Sequence, residues 1–118
     1  MTQLAPAIFD LLRHSLGDSA VDSSEETIAR YAHNLLPGGD RRPAGVIYPA
    51  STADVQTLVR LANQHRVPLY SISTGENSGL GLKSPIRSGC LVVDIGARMN
   101  RILEIDQPKP CSAIIACS

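Results

Sequence analysis

The sequence predicts an α+β fold of the α/β-like kind, in which a helical N-terminal lead-in precedes a β-α-β unit. Apolar residues recur at helical spacing in three segments, and short apolar runs stand before and after the third segment. A glycine-rich stretch directly follows the second of these runs, and it predicts a loop at the end of a strand. The helices and strands are therefore expected to alternate from about residue 45 onward.

The composition agrees with one small globular unit. Of 118 residues, 43% are hydrophobic and 19% are charged, as in ordinary folded proteins. Eleven basic residues balance eleven acidic ones, so the basic surface that marks a nucleic-acid-binding protein is not expected. No apolar run approaches the roughly 20 residues that cross a bilayer. Because the chain has one Phe and no Trp, its core must be mostly aliphatic.

Two helices are predicted in the lead-in. The first spans Pro6 to Leu16, where apolar residues share one face and Gly17 suits the exit. The second is predicted to begin at Ser23, because Ser23 and Glu26 have the spacing of a capping box. The buried face of this second helix is predicted to carry Ile28, Tyr31, Ala32 and Leu35.

The β-α-β unit follows the turn at residues 37–40. Strands are predicted at residues 45–49 and 69–72, with a further strand at 91–95. A capping box at Ser51 and Asp54 opens the helix between the first two strands. The first two strands are expected to lie in one sheet, parallel and joined by a right-handed crossover. The stripe of this helix predicted to be buried consists of Val55, Leu58, Val59 and Ala62.

The stretch from residue 73 to 81, STGENSGLG, is the segment with the clearest chemical content. Its glycines permit turns in which several backbone N–H groups point inward, and Ser73, Thr74 and Asn77 add side-chain donors. A diphosphate would suit such a nest. The glycine spacing matches neither a Walker motif nor the GxGxxG fingerprint, so a plain surface loop remains an alternative on composition alone.

Neither a metal site nor a catalytic group is predicted. The chain has three cysteines, an odd number, and no two of them form a close pair. The three histidines lie far apart on predicted helices. Cys90 is expected to be a buried apolar residue. Asp94 is expected to be a turn carboxylate at a strand end. The N-terminus lacks the basic start of a secretory signal, which makes a cytoplasmic location the default expectation.

Several ordered motifs together resemble one flavoprotein family. They are residues 42–49 (RPAGVIYP), 51–56 (STADVQ), 59–63 (VRLAN), 72–75 (ISTG), 77–79 (NSG), 92–96 (VVDIG) and 99–106 (MNRILEID). This set is similar to the vanillyl-alcohol oxidase and p-cresol methylhydroxylase family, especially its phenol-oxidising members. The resemblance implies a helical region at 1–41, part of a p-cresol methylhydroxylase-type FAD-binding domain at 42–106, and a divergent tail at 107–118.

The resemblance implies that FAD is the cofactor and that the glycine-rich loop binds its diphosphate, largely through backbone amides. The implied cofactor-binding residues are Ser71, Ile72, Ser73, Thr74, Gly75, Glu76, Asn77 and Ser78, with Gly79 and Gly81 shaping the turn. Ser71 stands where the family usually has proline, and Leu80 stands where an aromatic residue is common. Glu76 would repel a diphosphate only if its carboxylate pointed inward.

The resemblance also implies an activity, namely oxidation of a para-substituted phenol or aromatic alcohol by hydride transfer to FAD. A phenolic substrate, and either a cytochrome electron acceptor or a second copy of the chain, are the implied partners. The resemblance ends after Asp106, which predicts an incomplete flavin domain that is inactive alone and carries no catalytic residue. Two alternatives stay open: a stand-alone α/β module that binds a nucleotide or partner without catalysis, and a marginally stable remnant.

Overall fold

The computed structural model describes residues 5–73, 84–105 and 114–116, with the last two strands given by their backbone. Three α-helices and six strands are present in this part of the chain, in an α+β arrangement as predicted. The helices are α1 (Pro6–Leu16), α2 (Glu25–Ala32) and α3 (Thr52–His65). The strands are β1 (Val21–Asp22), β2 (Gly45–Ile47), β3 (Leu69–Ile72), β4 (Leu91–Asp94), β5 (Ile102–Ile105) and β6 (Ile114–Ala116).

Residues at the ends of α1 and α3 account for where these helices begin and end. Pro6 occupies the first turn of α1, and Gly17 follows the helix at φ 97°, a left-handed conformation that glycine adopts without steric cost. The Ser51 side chain accepts a hydrogen bond from the Asp54 amide at 3.2 Å, so the predicted cap of α3 is confirmed. At its other end α3 stops at Arg66, whose φ is 55°.

The start of α2 differs from the sequence prediction. The prediction that Ser23 caps the helix is wrong, because Ser24 is the N-cap and its hydroxyl accepts from the Thr27 amide at 3.4 Å. The Asp22 carboxylate explains the shift, since it accepts from the Ser24 amide at 2.9 Å and from the Thr27 hydroxyl at 2.7 Å. These bonds define a turn before the helix, which begins one residue later.

Four strands form one mixed sheet in the order β1-β2-β4-β3. Strands β2 and β3 are both parallel to β4, which lies between them, and β1 pairs antiparallel with β2. The predicted β-α-β unit is therefore present, with a third parallel strand inserted between its two strands. Strand β1 is not predicted from the sequence, because two residues are too few to show a periodic pattern.

Side chains alternate across this sheet and build two separate cores. One core, which we call the aliphatic face, is covered by α1 and α3. Its members are Leu12, Val21, Ile47, Leu58, Ala62, Val67, Leu91 and Val93. The other core, which we call the tyrosine face, contains Tyr31 of α2 with Val46, Ile72 and Val92, flanked by the partly buried Tyr48 and Tyr70. Neighbouring residues of β4 thus belong to opposite cores, as the pleat of a strand requires.

Two residues predicted to be buried on helices are exposed. Val59 is 42% exposed because α3 buries a narrower stripe than predicted, centred on Leu58 and Ala62. Leu35 is 59% exposed because α2 ends at Ala32, so this residue does not lie on the helix. Cys90 is buried as predicted, and burial raises the pKa of its thiol.

Strands β5 and β6 pair antiparallel in a second, two-stranded sheet. The pairing joins residues on the two sides of the predicted boundary between the resembling region (42–106) and the tail (107–118). Residues 114–116 are a short apolar run, which by itself does not distinguish a strand from a loop.

Candidate functional site

The candidate site lies where the parallel strands β3 and β4 end. The Ile95 amide donates to the Ile72 carbonyl at 3.0 Å, and the Gly96 amide donates to the Ser73 carbonyl at 2.7 Å. The chain leaving β3 is thus tied to the chain leaving β4 for one residue beyond the ladder. In open α/β sheets, ligands bind in the crevice outside the carboxyl ends of the strands, so this edge is the expected position of a ligand.

Three of the ten predicted cofactor-binding residues lie in the described part of the chain. Ser71 and Ser73 are exposed, whereas the Ile72 side chain is buried in the tyrosine face. Because the Ile72 carbonyl already accepts from Ile95, this residue contributes packing at the base of the predicted loop. The predicted residues from Thr74 to Gly81 lie outside the described residues.

A buried carboxylate organises the end of β4. Asp94 is 9% exposed; its Oδ1 accepts from the Ala97 amide at 3.1 Å and its Oδ2 accepts from the Tyr31 hydroxyl at 2.7 Å. Burial, followed by hydrogen bonds to Asp94 and Tyr48, raises the pKa of the Tyr31 phenol far above its ordinary value. Tyr31 therefore stays protonated and donates to the carboxylate throughout the physiological pH range.

The bond between Asp94 and Ala97 confirms the turn carboxylate expected from the sequence. The bond to Tyr31 was missed, because its two residues are 63 positions apart and Tyr31 was assigned only to the core. A tyrosine on the apolar face of a helix and an aspartate at a strand end were the available signals. Neither signal identifies its partner.

A second buried polar contact lies where the described chain resumes after residue 83. Asn34 and Ser84 are both buried, and the Asn34 side-chain amide donates to the Ser84 hydroxyl at 3.3 Å. The same amide donates to the Gly39 carbonyl at 3.0 Å, and its oxygen accepts from the Leu36 amide at 2.8 Å. Asn34 thus links the turn after α2 to the start of the second described segment. Neither residue belongs to a motif that the sequence shows.

Other kinds of site receive no support from the described residues. Within 5–73, 84–105 and 114–116, no group of three histidine, cysteine or acidic side chains could hold a metal ion. Over the same ranges, no helix combines the length and apolarity needed to cross a membrane.

Comparison with known proteins places the chain in a family. The family described as FAD binding domain matches residues 43–113, which is more than half of the chain. The chain belongs to this FAD binding domain family. The match begins just before β2 and includes both ends of the segment between β3 and β4, so the candidate site lies inside the family's domain.

Curated relatives extend the similarity beyond the matched domain. The chain is 40% identical over 102 residues to 1'-carboxy-chondrochloren decarboxylase of Chondromyces crocatus, covering 86% of this chain and 18% of that protein. It is 30% identical over 105 residues to the 4-cresol dehydrogenase [hydroxylating] flavoprotein subunit of Pseudomonas putida, covering 87% of this chain and 20% of that protein. The chain therefore spans about a fifth of the length of these relatives.

Solved structures show the same fold. A 4-ethylphenol oxidase from Gulosibacter chungangensis, in complex with isoeugenol, superimposes with a TM-score of 0.77 at 35% identity, covering 85% of this chain and 20% of that one. The structure of p-cresol methylhydroxylase with substrate bound gives a TM-score of 0.78 at 28% identity, covering 87% and 21%. The predicted p-cresol methylhydroxylase-type fold and the FAD cofactor of the family are thereby confirmed.

The described residues fit an anionic cofactor group at the β3–β4 edge. The nearest buried carboxylate, Asp94, accepts from the Tyr31 hydroxyl on one oxygen and from the Ala97 amide on the other, so both of its oxygens already have donors within the protein. The Ser73 residue at the mouth of the segment is exposed. A hydroxyl donor is thus present where the resemblance puts the start of the diphosphate loop.

Proposed function

We propose that this chain forms the diphosphate-binding part of a FAD-dependent oxidoreductase that oxidises para-substituted phenols or aromatic alcohols. The observation that carries the proposal is the position of Ser73, at the carboxyl edge of a parallel sheet and at the start of the glycine-rich segment. The matched family, whose domain covers this segment, supports FAD as the ligand.

Cofactor binding is proposed for the residues that the resemblance implies. They are Ser71, Ile72, Ser73, Thr74, Gly75, Glu76, Asn77 and Ser78, with Gly79 and Gly81 shaping the turn. Backbone amides and short hydroxyl and amide side chains bind a diphosphate through several donors at once. Bound FAD supplies the redox chemistry by accepting a hydride, while this chain's residues bind and orient the cofactor.

The substrate class rests on the relatives named above. Three of them act on phenols by name, whereas the relative with 40% identity is a decarboxylase. Phenol oxidation, a cytochrome acceptor, a homo-oligomer and a cytoplasmic location are therefore proposals for the whole protein. The division into residues 1–41, 42–106 and 107–118 likewise stays a prediction. We expect the 118 residues alone to bind FAD weakly and to turn over no phenol.

The test is a thermal-shift series on the 118-residue chain with FAD, ADP and riboflavin. FAD and ADP share a diphosphate, which riboflavin lacks. A ligand that binds only the folded state stabilises it by RT ln(1 + [L]/Kd), or about 1.4 kcal/mol at ten times Kd. FAD and ADP are expected to raise Tm, and riboflavin is expected to leave it unchanged.

A matched pair of variants locates the binding. Asn77→Asp puts a negative charge into the proposed loop and should abolish most of the shift with ADP. Asn63→Asp makes the same change on the exposed surface of α3 and should preserve the shift. No shift with millimolar FAD or ADP, in protein shown by circular dichroism to be folded, would contradict the proposal. Equal shifts in both variants would place the ligand elsewhere.

A further inference from the structure

We propose that the exit of α2 is a positioning element for the diphosphate site, in which Tyr31 and Asn34 hold the two ends of the segment between β3 and β4. The inference rests on the proposed function of that segment. Tyr31 acts through Asp94 at the end that begins with Ser73. Asn34 acts through Ser84 at the other end. The two residues lie three positions apart, so one short stretch of chain acts on both ends of the segment.

The first contact is a relay of three hydrogen bonds. The Tyr31 hydroxyl donates to Asp94, Asp94 accepts from the Ala97 amide, and the neighbouring Gly96 amide donates to the Ser73 carbonyl. The carboxylate therefore fixes the turn after β4. The Gly96 amide of this turn donates the last backbone hydrogen bond to the chain leaving β3. A hydrogen bond from a buried phenol restricts the orientation of the carboxylate, because it adds a second donor at 2.7 Å on the opposite oxygen.

The second contact uses all the hydrogen-bonding groups of one amide. Asn34 donates to the Ser84 hydroxyl and to the Gly39 and Ala32 carbonyls, which share its two N–H protons, and it accepts from the Leu36 amide. Ser84 in turn donates to the Pro85 carbonyl at 3.2 Å. The turn after α2 and the start of the second segment are thereby fixed to each other in a buried position. A buried side-chain amide whose hydrogen bonds are all made favours one arrangement of the chain around it.

Positioning matters for a diphosphate because several amides must reach its oxygens at once. Ser73 and Ser84 are the described residues on either side of the segment, and the two contacts set where each of them lies. Removing either contact should therefore weaken diphosphate binding without touching a group that contacts the ligand. The hydroxyl of Tyr31 and the amide of Asn34 are both buried against protein, so a direct role in binding is not required of them.

The experiment measures local order and ligand affinity in parallel, on the 118-residue chain. Tyr31→Phe should accelerate hydrogen exchange at the Gly96 and Ala97 amides by about tenfold, the size expected for losing a hydrogen bond to a charged group. It should raise the Kd for ADP by roughly five- to tenfold on the same grounds. Tyr70→Phe is the matched control, because it removes a hydroxyl from the tyrosine face and leaves the Tyr31–Asp94 bond in place.

Limited trypsin digestion tests the second contact. Asn34→Ala should accelerate cleavage after Lys83 several-fold, whereas cleavage after Arg66, at the end of α3, should keep its rate and report global stability in the same digest. The Kd for ADP should rise as it does in Tyr31→Phe. Leu58→Ala provides the reference for a purely structural effect, since it removes core packing on the aliphatic face.

The outcomes separate this inference from the proposed function. If the unaltered chain shows no shift with ADP or FAD, the proposed function fails, and the inference about the diphosphate site fails with it. If the unaltered chain binds ADP but exchange, cleavage and Kd in Tyr31→Phe and Asn34→Ala match those of Tyr70→Phe, the positioning role is overturned while the proposed function stands. Faster local exchange or cleavage together with a raised Kd, in both Tyr31→Phe and Asn34→Ala, supports the positioning role and the proposed function.

Discussion

The two faces of the four-stranded sheet differ in composition and in what they connect. The aliphatic face packs α1 and α3 against the sheet through leucine, isoleucine, valine and alanine side chains. The tyrosine face packs α2 against the sheet and adds a buried hydrogen bond from Tyr31 to Asp94. The first core is non-directional and stabilises the fold, whereas the second contains a directional contact that ends at the candidate site.

The two faces therefore contribute differently: the aliphatic face stabilises the fold, and the tyrosine face positions the candidate site. Apolar burial depends on area, so many side-chain shapes serve the aliphatic face about equally well. A phenol bonded to one carboxylate oxygen allows few replacements. Substitutions on the aliphatic face should therefore change the free energy of unfolding, and substitutions of polar groups on the tyrosine face should change the geometry at the β3–β4 edge.

The largest expected effect comes from truncating the aliphatic face. Leu58 is 1% exposed, and Leu58→Ala should lower the free energy of unfolding by about 2–5 kcal/mol, because it removes buried methyl groups and leaves a cavity. Denaturant titration measures this loss. Val59→Ala, one residue along on the exposed side of α3, should cost less than about 0.5 kcal/mol. Equal losses in the two variants would mean that α3 does not bury the stripe described above.

A smaller effect is expected at the start of the helix that covers the tyrosine face. Ser24→Ala removes the hydroxyl that accepts from the Thr27 amide, and N-cap losses of this kind cost about 1 kcal/mol. Thermal unfolding followed by circular dichroism measures the change. Ser19→Ala is the control, since Ser19 is exposed and lies before α2, and it should give a smaller change. Equal changes in the two variants would mean that the Ser24 hydroxyl does not cap α2.

The smallest effect is a pH dependence carried by Asp22. Hydrogen bonds from the Ser24 backbone amide, the Ser24 side chain and the Thr27 side chain lower the pKa of Asp22 below its ordinary value of 3.8. Because the folded pKa is the lower one, the stabilisation is present above pH 3.8 and is lost as pH falls through the folded pKa. Urea titrations should show unaltered chain more stable than Asp22→Asn at pH 7, with the difference shrinking toward pH 3. A difference that grew on acidification would contradict this sign.

Local patterns predicted the helices and the three parallel strands well, since periodicity and caps are properties of neighbouring residues. Pro6, Gly17 and Ser51 marked helix ends that the structure confirms. The start of α2 was missed by one residue because the Asp22 carboxylate accepts from the Ser24 amide and forms a turn that delays the start of the helix. The burial of Val59 was mispredicted because the width of an apolar stripe depends on what packs against it.

The candidate site was predictable only in its short-range part. The glycine-rich segment and the turn aspartate can be recognised from neighbouring residues alone. The family resemblance implies the ligand. The contacts that tie the segment to α2 pair residues 63 and 50 positions apart, which no local pattern reveals. Tyr31 had the pattern of a core residue and Asn34 had no predicted role, and each donates a hydrogen bond to a distant element.

A ¹H–¹⁵N NMR titration of the chain with ADP tests the diphosphate site most directly. Binding at the ends of β3 and β4 should give saturable shifts at Ser73, Gly96 and Ala97, together with the segment from Thr74 to Gly81. Leu58 and its neighbours on the aliphatic face should keep their resonances. Shifts concentrated on α1 and α3, or unchanged spectra at saturating ADP in folded protein, would contradict a diphosphate site at the ends of β3 and β4.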